Sequence, residues 1–140
     1  MKKYLISLMT IMMVALASIS FASCSSDDGD DGSAPIPQGL IGTWYKASGA
    51  SKYTISVTFN ADGSGYGRAT HNRILSITSW VFTYKYKSNG DVVCDATETW
   101  VSEDGEDTFK RDMTFHYNNG KLTGIDSSNG NLTGCTFEKN

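Results

Sequence analysis

The chain has 140 residues with 15 acidic and 12 basic side chains, and 39% of its residues are hydrophobic. That is enough material for one small core and too little for several domains. The near-balance of charge, with no basic stripe at any point, excludes a nucleic-acid-binding surface.

In chain order, residues 1–23 read as a secretory leader. Lys2 and Lys3 supply the positive start, Tyr4 to Ala17 an apolar stretch, and Ser18 to Ser23 a small-residue cleavage region. A transmembrane anchor is the rival reading, but the strictly apolar run is short for a bilayer. The tetrapeptide Phe21-Ala22-Ser23-Cys24 resembles the lipobox of bacterial lipoproteins, with Phe21 where an aliphatic residue is usual. The resemblance implies cleavage ahead of Cys24 and acylation of its thiol, palmitate being the expected kind of chain.

Residues 24–39 follow as the lipidated cysteine and a flexible acidic tether. Asp27, Asp28, Asp30 and Asp31 repel one another, and Pro35 and Pro37 stiffen the far end. A Ser-Asp-Asp run behind the cysteine resembles the export signal that sends lipoproteins of some Gram-negative anaerobes to the outer face. It implies an outer-membrane lipid anchor displayed at the cell surface, the alternative being the periplasmic leaflet.

Residues 40–140 form the domain. Without the leader and the tether aspartates it holds ten bases against eleven acids, so the acidity belongs to the tether. Turn signals stand at Ser48-Gly49, Asp62-Gly63, His71-Asn72, Asn89-Gly90, Asp104-Gly105, Asn119-Gly120 and Asn129-Gly130. Asn-Gly and Asp-Gly tolerate the positive φ that tight hairpins need. The stretches between them predict eight strands near 41–47, 53–60, 64–70, 75–87, 91–102, 107–117, 121–126 and 132–138. Apolar and polar residues alternate within them. Tyr53, Ile55, Val57 and Phe59 share one face, as do Trp80, Phe82, Tyr84 and Tyr86, and Phe109, Met113, Phe115 and Tyr117. One face is therefore buried and the other wet.

Hairpin-linked strands leave two edges, which closure removes and a sandwich only shortens. The expected fold is all-β, a single up-and-down antiparallel barrel of about eight strands, with a β-sandwich as the alternative. The opening strand, Leu40-Ile41-Gly42-Thr43-Trp44-Tyr45, resembles the Gly-x-Trp signature of lipocalins and the wider calycin group. That resemblance implies that Gly42 and Trp44 are structural, with the tryptophan closing the narrow end beneath a basic side chain of the last strand. Here that side chain is Lys139, where an arginine is usual, and the Thr-Asp-Tyr motif is missing. The likeness is to the small lipocalin-like domains of secreted bacterial lipoproteins. It covers residues 40–140 by pattern and the opening strand by identity.

Outside the cytoplasm Cys94 and Cys135 form either a disulfide or two buried thiols. His71 and His116 lack ligand spacing, so no metal or other cofactor is expected. No Gly-x-Ser-x-Gly elbow or acid–base pair stands out, so no catalytic residue is assigned and no enzyme is expected. The fifth strand holds a conflict: one face carries Cys94, Glu98 and Trp100, the other Val93, Asp95 and Val101, so either choice turns an acid inward. Tyr53, Phe59, Trp80, Tyr84, Trp100 and Phe115 are the candidate walls of a ligand cavity. The expected function is non-covalent binding of a small, largely hydrophobic molecule by a monomer held at the membrane through its lipid. The alternative is a solid-core interaction module for an envelope protein or glycan.

Overall fold

A computed structural model describes residues 32–49, 52–71, 73, 75–127 and 132–140. The leader and Cys24 lie outside the described residues, as do Asn72 and the Asn129-Gly130 turn. Residues Ser33–Asn140 form one compact unit.

Eight strands run β1 Gly42–Ser48, β2 Tyr53–Phe59, β3 Ser64–His71, β4 Ile77–Tyr86, β5 Asp91–Ser102, β6 Gly105–Asn118, β7 Lys121–Ser127 and β8 Thr136–Lys139. Each pairs antiparallel with the next, and β8 pairs with β1 through Trp44 opposite Lys139. The sheet is a closed, lipocalin-like up-and-down barrel, not a sandwich. The turn chemistry sets this up: Gly63, Gly90 and Gly105 all hold positive φ, and Asn119-Gly120 holds it at both residues, 49° and 78°.

The last strand is shorter than its sequence suggests. Leu132 to Cys135 turn back on themselves, with Cys135 N–H donating to the Leu132 carbonyl at 3.1 Å and Gly134 at φ 75°. The fold also begins earlier than Leu40. Ser33 bridges Lys87, Ala34 N–H donates to the Tyr86 carbonyl at 2.7 Å, and Ile36 packs on the core. The last residues expected in the tether thus belong to the barrel, because Ile36 has apolar surface to bury.

On β2 and β4, and on β6 from Met113 onward, the inner face is the predicted one. Gly65, Gly67 and Ala69 of β3 face inward, and a Cβ on Gly67 would come within 2.9 Å of the Trp80 ring. Small residues on β3 thus make room for the large rings of β4. At one end, which Gly42, Phe59, Tyr86 and Lys139 mark, Trp44 is buried and its indole N–H donates to the Leu40 carbonyl at 2.8 Å. The Lys139 ammonium sits 5.2 Å from the Trp44 ring centroid and donates to the Ile41 carbonyl. A Cβ on Gly42 would come within 3.3 Å of Lys139 Cε, and its φ of 123° disfavours any side chain. Gly42 and Trp44 therefore work as one end closure with Lys139.

Cys94 and Cys135 are each a buried thiol, so the disulfide alternative is not realised. The barrel order explains it. Cys94 sits on β5 and Cys135 just ahead of β8, with β6 and β7 between them one way around and β1 to β4 the other. A disulfide needs Cα atoms within about 7 Å, which strands on different sides of a filled barrel do not offer.

Candidate functional site

The six candidate wall residues separate into two levels. Phe59, Tyr84 and Phe115 lie toward the Trp44 end and are buried. The Phe59 ring meets Phe82, Tyr84 and Phe115 edge-on at centroid distances of 5.5, 5.1 and 5.5 Å, and Phe115 meets Phe137 at 5.8 Å. Rings in mutual contact fill the space that they would otherwise line. These three are core and not ligand walls. Trp80, at mid-height, is also buried.

Tyr53 and Trp100 reach the opposite end. Tyr53 opens β2 and its ring meets that of His71, at the end of β3, at 5.0 Å. Trp100 is inward on β5, and its indole N–H donates to the Ser76 hydroxyl at 2.7 Å. Beside it lies a recess of about 430 Å³ lined by Arg73, Leu75, Ser76, Trp100, Ser102, Glu103 and Asp104. Leu75 is 80% exposed there.

Between the aromatic floor and this rim lies a polar layer. β5 turns Val92, Cys94, Ala96 and Glu98 inward and leaves Asp95 exposed, which resolves the conflict in that strand. Glu98 is 5% exposed; its Oε2 accepts from the Trp80 indole N–H at 2.8 Å, and its Oε1 accepts from Arg111 Nε at 3.4 Å. A buried carboxylate survives only with such partners. Arg111 also stacks on Phe109, 5.0 Å from the ring centroid. Phe109 has inner parity but is 42% exposed, because β6 pairs with β7 only from Met113 onward.

Sequence reasoning missed Ser76, Leu75 and Arg111. The first two sit ahead of β4 with no pattern to single them out. The signal for Arg111 was available: it shares the parity of Phe109, Met113 and Phe115, and so had to face inward.

The histidines form no common site. His116 Nδ1 lies 3.0 Å from Asp91 Oδ1 on the outer face, while His71 Nδ1 accepts from Arg73 N–H at 3.1 Å. Among the described residues no group of three or more His, Cys, Asp or Glu side chains is placed to hold a metal ion. No protein-family model, curated protein or solved structure matches this chain.

Proposed function

We propose that this protein is a lipocalin-like lipoprotein of the cell envelope, anchored through Cys24, that binds a small and largely apolar ligand non-covalently at the rim of its barrel. The observation that carries the reading is the recess beside Trp100, at the end away from Trp44. Its volume, about 430 Å³, is in the range of small-molecule sites, and Trp100 and Leu75 give it apolar surface. Of the six candidate wall residues, Trp100 is the one that lines this recess. The Phe-rich layer acts as a floor that stops the ligand at the rim.

Titration of residues 33–140 with lipophilic fluorescent probes tests it, with Trp100→Ala as the variant. Saturable binding that Trp100→Ala weakens is the expected result. Probe signal that stays non-saturable, or that Trp100→Ala leaves unchanged, overturns the rim site. Mass spectrometry of the mature N-terminus tests the anchor separately: an intact leader there overturns the surface location.

A second reading, an interaction module for an envelope protein or glycan, has its own support. Tyr66 and Val81 pair across β3 and β4 on the outer face, 56% and 69% exposed. Substituting both by serine would abolish partner capture and leave probe binding intact.

A further inference from the structure

We infer that part of β6 is an open sheet edge and that a second copy of this chain pairs with it antiparallel, about a two-fold axis at Thr108; this stands apart from the rim-binding reading above. β6 pairs with β5 from Gly105 to His116, but with β7 only from Met113 to Asn118. Residues 105–112 thus project past β7, with no strand on that side among the described residues. The segment is exposed from Gly105 to Lys110 on both faces, and Phe109, of inner parity, is 42% exposed.

The backbone of this stretch offers a regular row of donors and acceptors. Tyr117 N–H donates to the Gly90 carbonyl at 2.8 Å, and the β5–β6 register runs on from there without a shift. In an antiparallel ladder the bonding direction alternates, so the odd-numbered residues of β6 bond toward β5. Glu106, Thr108, Lys110 and Asp112 turn their N–H and C=O groups to the open side. Such a row is a template for strand addition, which full closure of a barrel would have removed.

The side chains select the occupant. Glu106 and Asp107 stand at one end of the stretch, Lys110 and Arg111 at the other, with Thr108 and Phe109 between them. Charges on an edge discourage an arbitrary strand. A second copy run antiparallel turns the same charges into pairs. Bonding requires even residues opposite even ones, and the register with Thr108 opposite itself sets Glu106 opposite Lys110 on both sides of the axis. It forms about six backbone hydrogen bonds. The outer face then carries two ion pairs flanking a Thr–Thr pair, all favourable cross-strand combinations. On the inner face Asp107 of one copy is diagonal to Arg111 of the other, and the two Phe109 rings are diagonal to each other, which covers part of their exposed surface. The next register, with Phe109 opposite itself, would set Glu106 against Asp112, two like charges. The contact is isologous, as a two-fold dimer requires.

Sedimentation equilibrium of residues 33–140 at up to about 1 mM should show a monomer–dimer equilibrium. Lys110→Glu and Glu106→Lys each set like charges across the axis and should weaken the dimer at least about tenfold. Both side chains are exposed, so each variant keeps its fold. Mixed together, the two variants should pair again to within about threefold of wild type, because one brings two bases and the other two acids. Thr108→Cys should crosslink two copies under a mild oxidant faster than Phe109→Cys, while the buried Cys94 and Cys135 stay out of the reaction. A protein that stays monomeric throughout, its edge left to a strand of some other protein, overturns the inference. So does a dimer that either charge variant leaves at full strength, a mixture that stays monomeric, or faster crosslinking through Phe109→Cys.

Discussion

The indole N–H of Trp80 donates to Oε2 of Glu98 at 2.8 Å, directly across the β4–β5 pair in which the two residues are opposite each other. The contact joins the two layers of the barrel interior. Toward the Trp44 end are the rings of Phe82, Phe59 and Phe115, with Arg111 in the Phe82 row; toward the other end are Ser76 and Trp100. Truncating Glu98 would strand both the Trp80 N–H and the Arg111 guanidinium. Glu98→Leu should therefore lower stability by about 3 kcal/mol. Glu98→Gln keeps an acceptor for Trp80 and should cost about 1 kcal/mol. Urea unfolding of the two variants measures the difference, and equal losses would show that the carboxylate is not the connecting group.

Gly65 is a second test of packing. A Cβ there would enter the Phe82 ring and come within 2.6 Å of the Thr58 carbonyl oxygen. Gly65→Ala should destabilise by about 2–3 kcal/mol, although alanine suits a strand better than glycine does. Shortening the ring in the same chain, Phe82→Leu, should make the double variant's loss smaller than the sum of the single losses. Chemical denaturation of the four proteins in that cycle provides the check.

Alkaline stability should depend on Tyr84. Burial, with smaller contributions from Cys94 and Asp62, pushes its phenol up to about 12 from 10.0. Its hydroxyl donates to the Asn60 carbonyl at 2.6 Å. Between these two values the unfolded chain has lost the proton that the folded chain retains. The folded state thus binds more protons, and stability falls as pH rises from about 10 to about 12. Tyr84→Phe should flatten that part of the curve. Tyrosinate absorbance followed against pH, with thermal unfolding at each point, would reveal a variant that falls as steeply as the wild type.

The cysteines should be silent in the native protein. Burial raises the Cys94 thiol well above its usual range, and only a thiolate reacts. Brief alkylation under native conditions should leave Cys94 and Cys135 unmodified, and the same reagent in guanidinium should label both. Mass spectrometry of the peptides distinguishes this from a disulfide, which would label neither without a reductant.

Most of the barrel could be read before it was seen, because strand alternation and hairpin turns are local. Tyr53, Ile55, Val57 and Phe59 announce their inner face by spacing alone, and Asn119-Gly120 needs no distant partner to turn the chain. The errors fall where local signals compete. Leu132 looks like the start of a strand, yet Gly134 adopts positive φ and bends it into a turn. Ile36 looks like tether because prolines surround it, yet its apolar side chain packs on the core. Phe109 has the correct parity, but it lies on the part of β6 that extends past β7 and is left half exposed.

Local sequence is enough to set which residues alternate, where the chain turns, and that Trp44 stands two residues after a glycine in the opening strand. Those properties are set by backbone stereochemistry and the hydrophobic effect over a few residues. The return of β8 to β1, which brings Lys139 over Trp44 from the other end of the chain, belongs to the closed barrel. So does the choice of Glu98 and not Asp95 for the inner face, because Trp80 and Arg111 supply that carboxylate with partners in the interior while Asp95 stays in solvent. Partners far apart in sequence are matched by closure of the sheet, and no local pattern encodes that match.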